Sequence, residues 1–577
     1  MRKTILAVPA LALVMLTDPS PVLAASFPAV RGSGGAVVSP EATSTTVGLD
    51  ILRAGGNAVD AAVATALAMA VVHPEAGNLG GGGFAVVRVE GQLATLDFRE
   101  TAPAAAHRDM YLDEKGEPRP GASWVGPLAA GVPGSPAGLQ ELHSRFGELP
   151  WSDVVKPAIV LARDGFLVTR RLNEAVEGTR ERLARFPETA AIWLPGGEPP
   201  AVGSRVFLPD LAATLEAYAD QGREAIQSGH IARAIATASR RYGGILTIED
   251  LASYQPVWRE PLRFDAFGWS FASMGLPSSG GFLVGGSLQL LERLGYAHEM
   301  PRGARRAHML AEVWRRVFAD RVLLGDPGST QAEPTALLAG DRLARLAGSI
   351  EAEQAMPSER VAGGDHAELF ELLERLGPIR EPSETNHLAV ADIDGNLVAL
   401  TTTLNGSFGC GLLVPGAGFL LNNEMDDFAT VPGRPNAYGL IQGPANEIRP
   451  GRRMLSSMSP TLAWKGDESI TIGGRGGSKI PTAVAQALLG LLTGEHGLQE
   501  SIDTPRIHHQ WFPDRIGYED DALAPETREA LSGFGHLLAE SSGLARVHAV
   551  RRLAGGDFEA AGDPRGPAVG GIVDPEP

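Results

Sequence analysis

Several short polar segments in the C-terminal third of the chain carry hydroxyl, carboxylate and amide groups that could take part in catalysis. They are Glu384-Thr385-Asn386-His387, Thr401 to Asn405, Asn422 to Phe428, Leu455 to Thr461 and Gly473 to Ser478. Taken singly, each has an ordinary structural explanation, because a threonine at the start of a strand is usually only a strand residue and a glycine pair is usually a turn. A catalytic function therefore depends on whether the fold brings these segments together.

Three other features could suggest chemistry, but each favours a structural interpretation. Cys410 is the only cysteine and no base adjoins it, so it can form no intrachain disulfide and is a poor candidate nucleophile. His508 and His509 would point to opposite sides of a strand, and no third ligand lies at a fitting spacing, so no metal is predicted. The glycine run 80–83 lacks the phosphate-loop pattern and precedes a strand, which predicts close backbone packing.

The polar segments are attached to a predicted set of strands and helices. Asp392-Ile393-Asp394-Gly395 contains a strong hairpin signal, so strands are predicted at His387–Ala391 and Asn396–Thr402. Asn57 is predicted to cap the second of two early helices, which is apolar nearly all round and so should be buried. The other predicted elements are helices at Thr43–Arg53, Ala58–Val71 and Pro481–Leu492, and strands at Phe84–Val89, Leu93–Phe98, Leu462–Trp464 and Ser469–Ile472.

Composition and charge exclude some classes of partner. The chain has 577 residues, a net charge of -18 and a pI near 5.3, which argues against nucleic acid and against an anionic membrane surface. Arg2 and Lys3, the apolar run Ile5–Leu16 and the small-residue pattern before Ala25 predict a signal peptide at 1–24. The apolar run is too short to cross a bilayer. We therefore expect an exported protein, either periplasmic or extracellular, without a membrane span.

The order of several blocks along the chain resembles that of the gamma-glutamyltranspeptidases. Besides the polar segments above, the blocks are Gly55 to Ala62, Gly77 to Phe84, Asp97-Phe98-Arg99-Glu100 and Pro277 to Gly281. Together they cover nearly all of the chain after the predicted signal peptide. The resemblance implies an α+β fold, namely the four-layer αββα sandwich of the N-terminal-nucleophile hydrolases, built jointly by two fragments of one precursor.

The resemblance also implies that the precursor cuts itself between Glu384 and Thr385. This would give a large subunit, 25–384, and a small subunit, 385–577, which form a heterodimer. The free α-amine of Thr385, with a reference pKa of about 7.7–8.0, could then act as the general base for its own hydroxyl. No histidine or carboxylate partner and no cofactor would be needed.

The remaining site residues are also implied by the resemblance. Thr403 matches the second threonine, which bonds the nucleophile, and Gly476 and Gly477 match the oxyanion-hole pair. A γ-glutamyl substrate such as glutathione ends in a zwitterion: its carboxylate would bind Arg99, and its ammonium would bind acceptors. Matching residues for these two groups and for the lid over the pocket are Ser456 and Ser457 (carboxylate), Asn405, Glu424 and Asp427 (ammonium), and Tyr438 (lid).

The predicted activity is gamma-glutamyl transfer to water or to an amino acid or dipeptide, that is, glutathione hydrolysis or transpeptidation. Two alternatives remain: a cephalosporin or glutaryl-amide acylase of the same fold, and a non-catalytic binding protein. The acidic residues Glu424 and Asp427 favour a substrate with an ammonium group over a glutaryl group. Asn386 and Ala389 depart from the family pattern beside the cut, which bears on the rate of self-processing and on the choice of acceptor.

Overall fold

Two seven-stranded antiparallel sheets form the centre of the protein. The structure is a computed structural model that describes residues 28–296, 303–361, 383–430, 436 and 439–573. The strands of the first sheet, in spatial order, are Val569–Ile572, Gly35–Ser39, Ser383–Asp392, Leu397–Gly406, Gly82–Val89, Gln92–Phe98 and Val257–Arg259. Those of the second are Val30–Gly32, Phe558–Ala561, Arg546–Arg552, Glu468–Arg475, Thr461–Lys465, Trp269–Ser273 and Leu262–Ala266. Each sheet contains strands from both sides of residue 384.

Helices cover the outer face of each sheet. Those packed in the core of the first sheet are Ala42–Arg53, Ala58–Val72, Ser135–Phe146, Trp151–Asp164, Arg170–Leu183, Pro187–Trp193, Pro209–Gln221, Glu224–Gln227, Gly229–Arg241 and Ile248–Ser253. Those packed in the other core are Gly280–Arg293, Ala304–Asp320, Pro334–Leu337, Gly340–Gly348, Ser358–Val361, Ile480–Leu492, Leu498–Asp503 and Pro525–Gly533. Two small sheets complete the described strands: Phe166–Leu167 with Arg205–Val206, and Ile507–His508 with Ile516–Tyr518 and Leu538–Glu540.

The alternation of side chains along one strand shows how the layers stack. In the strand Ser383–Asp392, Leu388 and Val390 lie in the core between the first sheet and its helices. Ala389 and Ala391 point the other way, into the core shared with the second sheet. A strand buried on both faces in this way has a helical layer on one side and a second sheet on the other. The predicted four-layer αββα sandwich is confirmed.

The predicted elements are all present, with ends that differ by a few residues. The hairpin strands are longer than predicted, running over Ser383–Asp392 and Leu397–Gly406. Asn57 caps the helix Ala58–Val72 and forms a capping box with Asp60. The glycine run packs as predicted: a Cβ on Gly81 would lie 2.1 Å from the carbonyl oxygen of Thr403. Among the described residues no helix is long and apolar enough to cross a membrane.

Candidate active site

Two threonine hydroxyls meet on the central hairpin of the first sheet. Thr385 and Thr403 are cross-strand partners, and their Oγ1 atoms are 3.5 Å apart. The pairing register shifts between Ser383 and Thr385, so Glu384 lies in an irregularity of the strand. Such an irregularity turns a backbone carbonyl out of the regular ladder and leaves it available to other donors.

The carbonyl group of Glu384 is bonded within this pair of strands. The Thr403 hydroxyl donates a hydrogen bond to the Glu384 carbonyl oxygen at 3.1 Å. The backbone N–H of Asn405 in turn donates to Thr403 Oγ1 at 2.8 Å. Asn405 has a positive φ of 73°, a conformation that asparagine tolerates better than most residues. The hydroxyl of Thr403 is therefore held in one orientation, between the Thr385 hydroxyl and the peptide bond that joins Glu384 to Thr385.

A cavity of about 30 Å³ lies beside Thr385. Its lining includes nearly all of the site residues predicted from the sequence: Arg99, Thr385, Thr403, Asn405, Glu424, Asp427, Ser456, Ser457 and Gly477. Arg321, Leu440, Met458, Ser478 and Ile480 complete it. Residues as far apart in sequence as Arg99 and Ile480 thus line one cavity. A space of this size has room for one or a few water molecules.

Arg99 lies at the charged end of the cavity. It follows the strand Gln92–Phe98 and is 1% exposed. Its guanidinium donates to Glu424 and, at 2.5 Å, to Asp427, both on the 3-10 turn Glu424–Asp427. Burial alone would lower the pKa of Arg99, but the surrounding carboxylates outweigh it and raise that pKa above its usual value. The arginine is therefore cationic and is already shared between two acids.

A third carboxyl group, that of Glu100, lies next to Arg99 but does not line the cavity. It is fully buried, 3.8 Å from the Arg99 guanidinium, and neither of its oxygens has a hydrogen-bond partner among the described residues. Burial raises the pKa of Glu100 to about 7, even though Arg99 opposes the shift. The Glu100 carboxyl therefore loses its proton near neutral pH, which adds a negative charge beside the cavity.

Replacing Glu100 by glutamine should make stability less dependent on pH. In the folded protein this carboxyl keeps its proton to higher pH than in the unfolded chain, so its contribution is lost as pH rises through about 7. Relative to the Glu100→Gln variant, the free energy of unfolding of the parent should fall by about 2 kcal/mol between pH 5 and pH 8. Unfolding of both proteins, measured in an uncut Thr385→Ala background, checks this. A difference that is the same at both pH values would contradict it.

Several polar atoms in the cavity wall have unused hydrogen-bonding capacity. Ser457 Oγ and Glu424 Oε2 are buried and have no hydrogen-bond partner among the described residues. Ser456 Oγ accepts a bond from the backbone N–H of Met458 at 3.1 Å and can still donate its own proton. Buried polar groups without partners are uncommon and mark places where a ligand can supply the missing bonds. These groups are two hydroxyl donors and one carboxylate acceptor.

The two predicted oxyanion glycines occupy different positions. Gly477 lines the cavity beside Thr385, at the start of the turn Gly477–Lys479 that leads into the helix Ile480–Leu492. Gly476 lies in the wall of a neighbouring cavity of about 410 Å³. Its φ of 136° and the approach of Ala545 leave no room for a side chain. Backbone N–H groups at a helix start favour negative charge, which suits the predicted function of the pair.

Arg321 is a site residue that the sequence did not reveal. It lines the cavity, is 2% exposed, and donates to Ser279 Oγ at 3.1 Å and to Gln442 Oε1 at 3.0 Å. Burial lowers the pKa of Arg321 to about 10, with Asp427 opposing the shift. The sequence signal was weak, because Arg321 ends a charged helical stretch that looks like a surface. Tyr438, the predicted lid residue, lies outside the described residues.

The features interpreted as structural have ordinary partners. His508 Nδ1 is 2.8 Å from Thr482 Oγ1, whereas His509 Nε2 is 3.2 Å from Asp514 Oδ1, so the two rings belong to separate networks. Cys410 is completely buried, and burial raises the pKa of its thiol to about 12. A thiol with so high a pKa is a poor nucleophile.

Known structures place this fold in the N-terminal-nucleophile hydrolase class. The structure matches a cephalosporin acylase from Bacillus halodurans over 98% of this chain and 100% of that one, with a TM-score of 0.82 and 24% identity. It also matches the gamma-glutamyltranspeptidase of Helicobacter pylori at 35% identity and a TM-score of 0.54, over 56% of this chain and 94% of that one. The first match, at so low an identity, shows the fold alone.

Sequence comparison narrows the class to a family. Residues 44–572 match the gamma-glutamyltranspeptidase family. A relative in Pseudomonas aeruginosa, a protein named glutathione hydrolase proenzyme, is 41% identical over 549 residues, which is 94% of this chain and 95% of that protein. The chain therefore belongs to the gamma-glutamyltranspeptidase family. The family, the fold and the type of enzyme predicted from the sequence are confirmed.

Proposed function

We propose that the chain is a proenzyme that cuts itself between Glu384 and Thr385 and then acts on γ-glutamyl amides such as glutathione. The observation that carries this proposal is the arrangement of hydroxyls at the hairpin. Thr385 Oγ1 is 3.5 Å from Thr403 Oγ1, and Thr403 donates to the carbonyl oxygen of Glu384. The nucleophile, a proton carrier and the carbonyl to be attacked are thus adjacent.

The self-cleavage step uses only these groups and water. Thr385 Oγ1 bonds to the carbonyl carbon of Glu384 and passes its proton to Thr403, while Thr403 gives its own proton to the carbonyl oxygen. The C–N bond then breaks, the nitrogen takes a proton, and an ester joins Glu384 to Thr385. Water hydrolyses the ester to a carboxylic acid and restores the hydroxyl. The products are the fragments 25–384 and 385–577, which stay associated because both sheets contain strands from each fragment.

Cleavage supplies the base for the second reaction. The new α-amine of Thr385 can take the proton of its own hydroxyl as that hydroxyl attacks the γ-glutamyl amide. The leaving amine departs and a γ-glutamyl ester remains on Thr385. Water then gives glutamate, and an amino acid or dipeptide gives a new γ-glutamyl amide. The backbone N–H groups of Gly476 and Gly477 stabilise the negative oxygen in both steps.

The charges of the cavity suit the zwitterionic end of a γ-glutamyl group. The substrate carboxylate takes the place of Glu424 and Asp427 as the partner of Arg99. It also accepts hydrogen bonds from the hydroxyls of Ser456 and Ser457. The substrate ammonium then binds Glu424, Asp427 and the side-chain oxygen of Asn405. Export fits the same function, with residues 1–24 removed as a signal peptide and the enzyme in the periplasm or outside the cell.

A competition between two substrates tests this assignment. A γ-glutamyl anilide and a glutaryl anilide, which lacks the α-ammonium group, are mixed with the enzyme, and the products are identified by mass. We expect the glutamyl compound to react roughly 10²-fold or more faster, because a glutaryl group leaves Glu424 and Asp427 buried without a cation. Thr385→Ala serves as the blank.

The other outcomes of this competition point to other functions. Preferential release of glutarate would show an acylase, despite the acidic residues of the cavity. Reaction of neither compound, by protein that has been cut, would favour a non-catalytic binding protein. The acylase is the weaker candidate because neither Glu424 nor Asp427 has a partner in a glutaryl group.

A further inference from the structure

The side chain of Glu384, the residue before the nucleophile, is held by two arginines. Arg475 Nη1 is 2.9 Å and Arg171 Nη2 is 3.2 Å from the same carboxylate oxygen, Oε2. Arg475 ends the strand Glu468–Arg475, directly before the glycine pair, and Arg171 is in the first turn of the helix Arg170–Leu183. Since Thr403 bonds the carbonyl oxygen of Glu384, this residue is fixed at both its side chain and its backbone.

The arginine nearer the glycine pair depends on this carboxylate. The Arg475 side chain is 2% exposed, and its Nε and Nη2 atoms have no hydrogen-bond partner among the described residues. Burial, and then the nearby charge of Arg171, lower the pKa of Arg475 well below its usual value. Within the described part of the chain, Glu384 is the carboxylate in salt-bridge contact with it. A buried guanidinium needs such a partner, so the pair constrains both residues.

The second arginine links the pair to another buried acid. Arg171 Nη1 is 2.9 Å from Glu75 Oε1, and its guanidinium also contacts the ring of His73. Burial, with Arg171 and Arg475 adding to it, lowers the pKa of His73, so that ring is neutral. Two carboxylates, Glu75 and Glu384, therefore face two guanidinium groups. The cluster lies outside the cavity that contains Arg99, so it serves a different purpose from binding the zwitterion.

We propose that Arg171 and Arg475 are positioning residues for self-cleavage, which hold the carboxylate of Glu384 so that its carbonyl carbon faces Thr385 Oγ1. This inference rests on the self-cleavage proposed above. With its side chain anchored and its carbonyl oxygen bonded to Thr403, Glu384 has little freedom to rotate its peptide plane. The arginines exchange no proton in the step. They restrict the geometry from which the C–O bond forms and the C–N bond breaks.

Removing the charge of Glu384 without changing its shape tests this proposal. The full chain is made by cell-free translation with a short labelling pulse, and loss of the uncut band is followed over time. We expect Glu384→Gln to cut about 10²-fold more slowly than the parent, the scale of effect of a misplaced reacting group. Arg171→Gln should also slow the cut, and the double variant should be no slower than the slower single variant, because both changes break one interaction.

A matched ion pair that lines a different cavity provides the control. Arg306 and Glu495 are buried to a similar extent and 2.8 Å apart, with side chains 14% and 22% exposed against 18% and 19% for Arg171 and Glu384. Glu495→Gln should leave the rate of cutting unchanged. Melting temperatures of all the variants, measured in the Thr385→Ala background, separate a loss of folding from a loss of positioning.

Different outcomes contradict different statements. The positioning function would be overturned if Glu384→Gln is cut at the parent rate. It would also be overturned if the fold-decrease in the cutting rate of the double variant equals the product of the fold-decreases of Glu384→Gln and Arg171→Gln. If Glu384→Gln does not fold, Glu384→Asp is used, which keeps the charge but shortens the reach; it should cut more slowly than the parent, and an unchanged rate would again overturn the proposal. A parent chain that folds but never cuts would instead overturn the proposed self-cleavage itself.

Discussion

Thr385→Ala should accumulate as one uncut chain, whereas the parent protein should separate into two fragments on a denaturing gel. The variant lacks the hydroxyl that is proposed to attack the Glu384 carbonyl, and the neighbouring Thr403 hydroxyl bonds the oxygen of that carbonyl. Loss of a catalytic nucleophile lowers rates by roughly 10⁶-fold in well-studied hydrolases, so no cut product is expected over hours. Intact mass of the fragments gives the measurement, with the small fragment beginning at Thr385.

Two further variants make this result specific. Thr385→Ser keeps a hydroxyl at the same place and should still be cut. Thr471→Ala removes a hydroxyl from a fully buried strand threonine of the other sheet, which bonds the carbonyl of Val398 at 3.0 Å, and should be cut like the parent. If Thr385→Ala were cut at the same bond, the nucleophile would be another group or an outside protease.

The hairpin that carries Thr385 could be predicted because its signals are local. The Asp-Gly turn and the β-branched flanking residues determine where two strands meet, and the alternating side chains are consistent with burial on both faces. The pairing of Thr385 with Thr403 follows from the turn by counting along the strands. The bulge at Glu384 could not be predicted in the same way, because it depends on contacts made outside the hairpin.

The glycines show a second limit of sequence reasoning. Gly476-Gly477 stood out as a pair, but their difference in position could not be inferred. One glycine lines the cavity of Thr385 and the other lines the neighbouring cavity, because φ changes from 136° to 58° between them. Backbone angles of this kind are determined by packing against Ala545 from a distant strand connection.

The buried Arg321 and the partly buried Arg171 were the hardest features to anticipate. Arg321 and Arg171 belong to helical stretches rich in charge, and such stretches normally face solvent. Their burial follows from partners far away in sequence: Arg171 meets Glu384 across 213 positions, and Arg321 meets Gln442 across 121. A single sequence holds no local signal for such pairs. The family resemblance indicated Arg99, Glu424 and Asp427, but it gave no information about the arginines that contact Glu384.

Arg99→Lys should raise KM for a γ-glutamyl anilide by roughly 10- to 10²-fold, with a smaller change in kcat. Lysine keeps the positive charge, but its single ammonium group cannot reproduce the planar pair of nitrogens that now bonds Glu424 and Asp427 together. The substrate carboxylate therefore meets a cation that is less well oriented and more strongly hydrated. The measurement uses protein that is already cut, so that processing does not enter the comparison.

The matched control is Arg342→Lys, since Arg342 also makes two bonds to one acid, Asp320, at 2.7 Å each, but lies outside the cavity. It should leave KM unchanged. A KM that is equal in Arg99→Lys and the parent would remove Arg99 from the binding site. A fall in kcat alone would mean that Arg99 acts on the reacting bond. Because its guanidinium is bonded to Glu424 and Asp427, that result would require these two acids to move during the reaction.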